Sequence, residues 1–151
     1  MTRTADGGSG CVFCDALSTD TGRALLVHEG RHAFVILNLY PYNNGHLMVA
    51  PKRHIATLAG LGADERTELM ELASRAEEAL TEAYRPQGIN LGMNLGQAAG
   101  AGIADHLHLH LVPRWVGDTN FMSVLGEVRV LPEELPQTAA RLRPIFSRLA
   151  S

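Results

Sequence analysis

The sequence predicts an α+β domain: an antiparallel sheet, one long helix and a C-terminal helix. Three observations carry that reading. Short apolar runs bounded by turn residues occur in both halves of the chain. One segment, Ala63 to about Arg85, has an apolar period of three and four residues. Residues 106–111 alternate histidine with leucine, the side-chain period of a strand.

The composition fits one folded domain. At 151 residues, 46% hydrophobic and 19% charged, the chain has the material for one packed core. Residues 1–10 are small and polar and are expected to be disordered, leaving residues 11–151 as a single domain. A net charge of −3 argues against a nucleic-acid partner, though not against a small phosphate ligand. No apolar run reaches the roughly 18 residues of a membrane span, and the N-terminus lacks a signal-peptide core. The expected compartment is the cytoplasm. There Cys11 and Cys14 would stay reduced or bind a metal.

The elements follow in order. Ser18 to Gly22 reads as a loop. Ala24–Glu29 and His32–Asn38 read as strands joined at Gly30-Arg31. Tyr40-Pro-Tyr-Asn-Asn-Gly45 is a dense turn signal, and His46–Ala50 a third strand ended by Pro51. The long helix puts Leu69, Leu72, Ala73, Ala76, Ala79, Leu80 and Ala83 on one face. Asp64 or Gly62 could cap its start, and Pro86 with Gly88 stops it. Gly88–Leu95 can be a strand, followed by the small-residue loop Gly96-Gln-Ala-Ala-Gly-Ala-Gly102. The histidine strand comes next and is expected to end at Pro113. Residues 121–130 could hold a short strand. The terminal helix is expected to be interrupted near Pro136 and Pro144.

A strand with this alternation places His106, His108 and His110 on one face and Leu107, Leu109 and Leu111 on the other. Three uses compete: a three-histidine metal site, acid–base or nucleophilic chemistry at one imidazole, or a purely structural face. The glycine-rich loop before the row offers unobstructed N–H groups of the kind that cradle phosphate oxygens. Together they favour phosphate chemistry at a histidine. Neutral imidazole is a competent nucleophile near pH 7. Cys11-x-x-Cys14 separately spaces two thiolates for one tetrahedral zinc, with two further ligands to come from elsewhere.

Asp105-His-Leu-His-Leu-His-Leu-Val112 resembles the His-φ-His-φ-His-φ-φ signature of the histidine triad (HIT) superfamily, φ being apolar. Asn38 through Pro51 resembles the family's earlier block, and His106 through Phe121 a bacterial branch that includes diadenosine tetraphosphate (Ap4A) phosphorylases. The resemblance implies a HIT-like fold with about five antiparallel strands, and a homodimer. It implies that His108 attacks the α-phosphorus of a purine nucleotide derivative, a dinucleoside polyphosphate such as Ap4A first among them. A nucleotidyl-histidine would form and be resolved by water or inorganic phosphate. His110 would contact the α-phosphate, and His46 would orient the row. Asn38 would reach the ribose, with Asn94 and the loop (Gly96, Gln97, Gly100, Gly102) near the phosphate. Trp115 would stack on a base or at a dimer interface. In the same branch a histidine after the Pro-Lys segment and the first triad histidine complete the cysteine pair. Here that gives a structural zinc held by Cys11, Cys14, His54 and His106, with no organic cofactor. The alternatives within this resemblance are a nucleoside phosphoramidase and a nucleotide- or partner-binding module with little turnover. One departure stands out: many members carry a hydroxyl residue just before the first histidine, whereas Gly102-Ile-Ala-Asp105 has none.

Overall fold

The computed structural model describes residues 10–101, 106–118 and 133–150. Residues 1–9, Gly102 and the strand expected within residues 121–130 lie outside the described residues. Two short helices, α1 (Val12–Asp15) and α2 (Asp20–Leu25), open the chain. Strands β1 (Leu26–Glu29), β2 (Ala33–Leu37) and β3 (Leu47–Pro51) follow, then helix α3 (Ala63–Tyr84). Strand β4 (Gly88–Gly92), a 3₁₀ turn at Gln97–Ala99, strand β5 (Leu109–Arg114) and helix α4 (Leu135–Ala150) complete it. The five strands form one antiparallel sheet in the order β1-β2-β3-β5-β4. The expected α+β class and strand count hold.

One sheet face carries Val35, Leu37, Leu47, Val49, Leu107, Leu109 and Leu111 against the apolar stripe of α3 and against Ala139, Leu142 and Phe146 of α4. The opposite face of β2 and β3 carries Phe34, Ile36, Met48 and Ala50, which pack against Cys11, Phe13 and Ala16. Strands β2 and β3 are therefore buried on both faces, as their unbroken apolar runs require. Glu68 of α3 fastens the β1–β2 turn by accepting the N–H groups of His32 and Ala33, each at 2.5 Å.

Four local expectations change. Asp20–Leu25 is a helix, capped by the Thr19 hydroxyl, which accepts the Gly22 N–H at 3.0 Å. Gly22 is obligatory there, since a Cβ would lie 2.2 Å from the Asp15 carbonyl oxygen. Pro113 lies inside β5 and does not end it. Strand β3 begins opposite Leu111, so Pro113 has no ladder partner on that side, and its carbonyl accepts from the Asn43 amide at 2.8 Å. Helix α4 runs unbroken past Pro136 and Pro144. Pro136 sits in the first turn, where its missing N–H costs nothing; Pro144 frees the carbonyl of exposed Ala140 toward solvent. Finally, β5 begins only at Leu109. Upstream, the Leu107 N–H goes to the Ile55 carbonyl at 2.7 Å, but the period-two alternation persists.

Candidate active site and metal centre

The histidine row is not three equivalent rings. His106 is fully buried. Its Nε2–H donates to the Pro51 carbonyl at 2.8 Å, which leaves Nδ1 with a lone pair. That Nδ1 lies 3.4 Å from Cys11 Sγ, 3.6 Å from Cys14 Sγ and 3.1 Å from His54 Nδ1; Cys14 Sγ lies 3.2 Å from His54 Nδ1. All four donor atoms fall within 4.8 Å of one another. Tetrahedral zinc with Zn–N near 2.0–2.1 Å and Zn–S near 2.3 Å has edges of about 3.3 Å between nitrogens and about 3.6 Å between nitrogen and sulfur. The spacing and donor set fit such an ion, with no open position. Without one, burial and the neighbouring Cys11 push the Cys14 thiol up to about 11; a bound cation reverses that by taking the thiolate.

His108 is buried too. Its Nδ1–H donates to the His106 carbonyl at 2.9 Å, so Nε2 is its lone-pair nitrogen. The Phe13 ring stacks on it, centroids 4.6 Å apart and planes 28° from parallel. Burial lowers the basicity of His108, so at neutral pH the imidazole is uncharged.

His110 belongs to a relay. The backbone N–H of Tyr42 donates to His46 Nδ1 at 3.0 Å. His46 therefore carries its proton on Nε2, which donates to His110 Nδ1 at 2.9 Å. That leaves His110 presenting an Nε2–H. Burial, then the neighbouring His110 and His108, push His46 down to about 4 and keep it neutral. His46 sits behind His110 and off the pocket wall. It is delivered by Gly45, whose φ of +79° suits glycine and whose Cβ would meet the Tyr84 ring at 2.9 Å.

His108 and His110 line a pocket of about 410 Å³ with Val12, Asn38, Tyr40, Met48, Asn94 and Gly100. The Asn38 Oδ1 accepts the Tyr40 N–H at 2.9 Å, which places its amide 3.4 Å from His46 Nε2. Gly96 and Gly100 have φ of +84° and +96°, and open space surrounds Gly96. Of the expected nucleotide contacts, Asn38, Asn94 and Gly100 line the pocket. Gly96 and Gln97 belong to the exposed loop beside it, off its wall, and half-buried Trp115 does not line it either.

Residues 22–116 match the HIT domain. The chain belongs to the HIT family. A Mycobacterium tuberculosis protein named AP-4-A phosphorylase is 43% identical over 132 residues, 87% of this chain and 67% of that one. A Dictyostelium discoideum bis(5'-adenosyl)-triphosphatase is 30% identical over 120 residues, 76% of this chain and 80% of the relative. The crystal structure of a zinc-bound histidine triad family protein from Mycobacterium smegmatis matches with a TM-score of 0.73 at 28% identity, covering 93% of this chain and 96% of that one.

Three parts of this HIT site have no strong sequence signal. Phe13 sits between the two cysteines, and only its position there marks it. The Tyr42 N–H is a backbone donor and leaves no trace in a side-chain pattern. Asp118 is an acid four residues after Arg114. Its carboxylate accepts from Arg114 Nε and Nη2, each at 2.9 Å, from Asn43 Nδ2 at 2.6 Å and from the Trp115 N–H at 2.9 Å. These bonds, Arg114 first, hold its carboxyl well below the usual range. They fasten the turn carrying Tyr42 and Asn43 to the end of β5.

Proposed function

We propose that this protein transfers or hydrolyses a nucleotidyl group at the α-phosphate of a purine nucleotide derivative, with a dinucleoside polyphosphate such as Ap4A as substrate. The observation that carries the reading is the held tautomer of His108, a pocket-lining imidazole whose Nδ1–H is tied to a carbonyl and whose Nε2 lone pair is free. In the proposed step Nε2 attacks the α-phosphorus. A phosphorus–nitrogen bond forms and the phosphorus–oxygen bond to the leaving polyphosphate breaks. The positive charge of the N-phosphorylated ring is met by the His106 carbonyl. The His110 Nε2–H, set by the relay from Tyr42, donates to an α-phosphate oxygen. Water or inorganic phosphate then displaces His108. With no Ser or Thr between Gly96 and Asp105, the row's own N–H is the donor it can offer the departing group.

Asn38 and Asn94 would hold the sugar and phosphate from the pocket wall. Trp115 would act only across a dimer or on the distal half of a long substrate. Zinc at Cys11, Cys14, His54 and His106 would be structural, tying the N-terminal turn to the row. Such a centre needs reduced thiols, which fits a cytoplasmic protein. A homodimer is supported by β4, an edge strand with Leu91 half exposed. Among the described residues, no helix is long and apolar enough to cross a membrane.

Incubation with Ap4A, with and without inorganic phosphate, tests the reading. ADP plus ATP formed only with phosphate identifies phosphorolysis. AMP plus ATP in water identifies hydrolysis. No products under either condition would overturn the proposed activity.

A further inference from the structure

The Nδ1 bond to the His106 carbonyl fixes one atom of the His108 ring. It does not fix the plane of the ring. The plane is bounded by Phe13 on one face and by His110, whose ring stands edge-on at 4.8 Å and 76°. Phe13 is 1% exposed, and its ring also leans on His106 at 5.1 Å. Yet α1 is a single turn of four residues, too short to hold its own shape. It is held by the packing of Phe13 in the cluster with Phe34, Ile36, Met48 and Ala50, and by the cysteine on each side, Cys11 before Val12 and Cys14 after Phe13, both members of the metal-binding cluster. The carbonyl that holds His108 also belongs to a residue of that cluster, His106. Both restraints on the proposed nucleophile therefore touch the same four-donor cluster.

We propose that Phe13 is a positioning residue that sets the ring plane of His108, and that the metal centre acts on turnover by holding Phe13 in place. The proposal rests on the nucleotidyl-transfer reading of the same site. It differs from simple core packing in what it predicts. Packing needs apolar volume, which leucine supplies. Positioning needs a flat face.

The test compares wild-type holoprotein with Phe13→Leu, both assayed for metal content, AMP affinity, Ap4A turnover and the ¹³C relaxation spectrum of the His108 ring, which reads the mobility of the ring plane. The expected result for Phe13→Leu is retained metal and AMP affinity within about threefold. Its kcat should fall by about 10- to 100-fold, the scale of a misoriented reactant. Its His108 ring carbons should change from one rigid orientation to exchange between several. Chelator-treated wild type should show the same ring-carbon signature with Phe13 present. An unchanged kcat with an unchanged His108 spectrum in Phe13→Leu would overturn the proposal. A chelated protein that keeps the holo spectrum would overturn the role given to the metal. If wild type turns over no dinucleotide, the proposed activity fails separately, and the ring spectrum alone decides: a rigid His108 ring retained in Phe13→Leu refutes the inference.

Discussion

Removing the Asp118 carboxylate should loosen the whole mount of the relay. The Asp118 side chain is 2% exposed and accepts from Arg114, Asn43 and the Trp115 N–H. A hydrogen bond to a charged acceptor is worth about 1.5–3 kcal/mol where its donor is shielded from water. The Arg114 side chain is 33% exposed and regains its hydration, so the cost of Asp118→Ala is carried by the Asn43 and Trp115 N–H bonds, together about 3 kcal/mol. For a domain of this size that is a fall in melting temperature of roughly 6–12 °C. The pH dependence has a definite sign. The folded-state pKa of Asp118 is depressed below the ordinary 3.8, so its stabilisation is complete above that value and is lost as pH falls below it. Urea unfolding of wild type and Asp118→Ala at pH 7 and near pH 3 measures this. Taking the difference between the two proteins cancels the titration of the histidines and the metal centre. The gap should be near 3 kcal/mol at pH 7 and should narrow in acid. A gap under about 1 kcal/mol at pH 7, or one equal at both pH values, would refute the reasoning and make Arg114–Asp118 an ordinary surface pair.

Cys14→Ser should abolish tight zinc binding and lower stability by about 4 kcal/mol when free zinc is 1,000-fold above its dissociation constant. Metal analysis with a thermal melt checks this, and a variant that keeps stoichiometric zinc would contradict it. His46→Ala should slow turnover by about 10²–10⁴-fold with little change in AMP affinity, because it removes the donor that sets the His110 proton. Steady-state kinetics beside calorimetric titration separates the two effects. Protonating His46, which burial holds down to about 4, should break its bond from the Tyr42 N–H. Because the unfolded ring takes a proton near 6.5 and the folded ring resists it, this residue's contribution to stability should decline as pH falls from about 6.5 toward 4. A His46→Phe variant with the same pH slope as wild type would contradict that assignment.

The histidine strand was legible because alternation is a local property. Leu107, Leu109 and Leu111 face the core as period two demands. The α3 stripe was legible for the same reason. Gly62 rather than Asp64 serves as its N-cap, with the Gly62 N–H bonded to Glu65 at 2.8 Å. The prolines misled because a proline breaks an element only where its missing N–H has a partner to lose. At Pro113 the neighbouring strand has already ended, and at Pro144 the freed carbonyl faces water. Helix α2 was hidden by Gly22, a poor helix former retained for close packing. The metal cluster draws on positions 11, 14, 54 and 106, a long-range convergence no local period encodes; only family resemblance anticipated it. The relay was half legible. His46 and His110 could be named, but the Tyr42 N–H that sets their tautomers could not.

The central claim is that His108 becomes covalently nucleotidylated. Rapid acid-free quenching of enzyme mixed with Ap4A, followed by intact-mass and peptide analysis, measures it directly. The account predicts one nucleotidyl group per chain on His108, discharged on adding inorganic phosphate or on standing in water, and absent from a folded, zinc-loaded His108→Ala variant that has lost turnover. Full turnover in His108→Ala, or a nucleotidyl group carried on another residue, would contradict it.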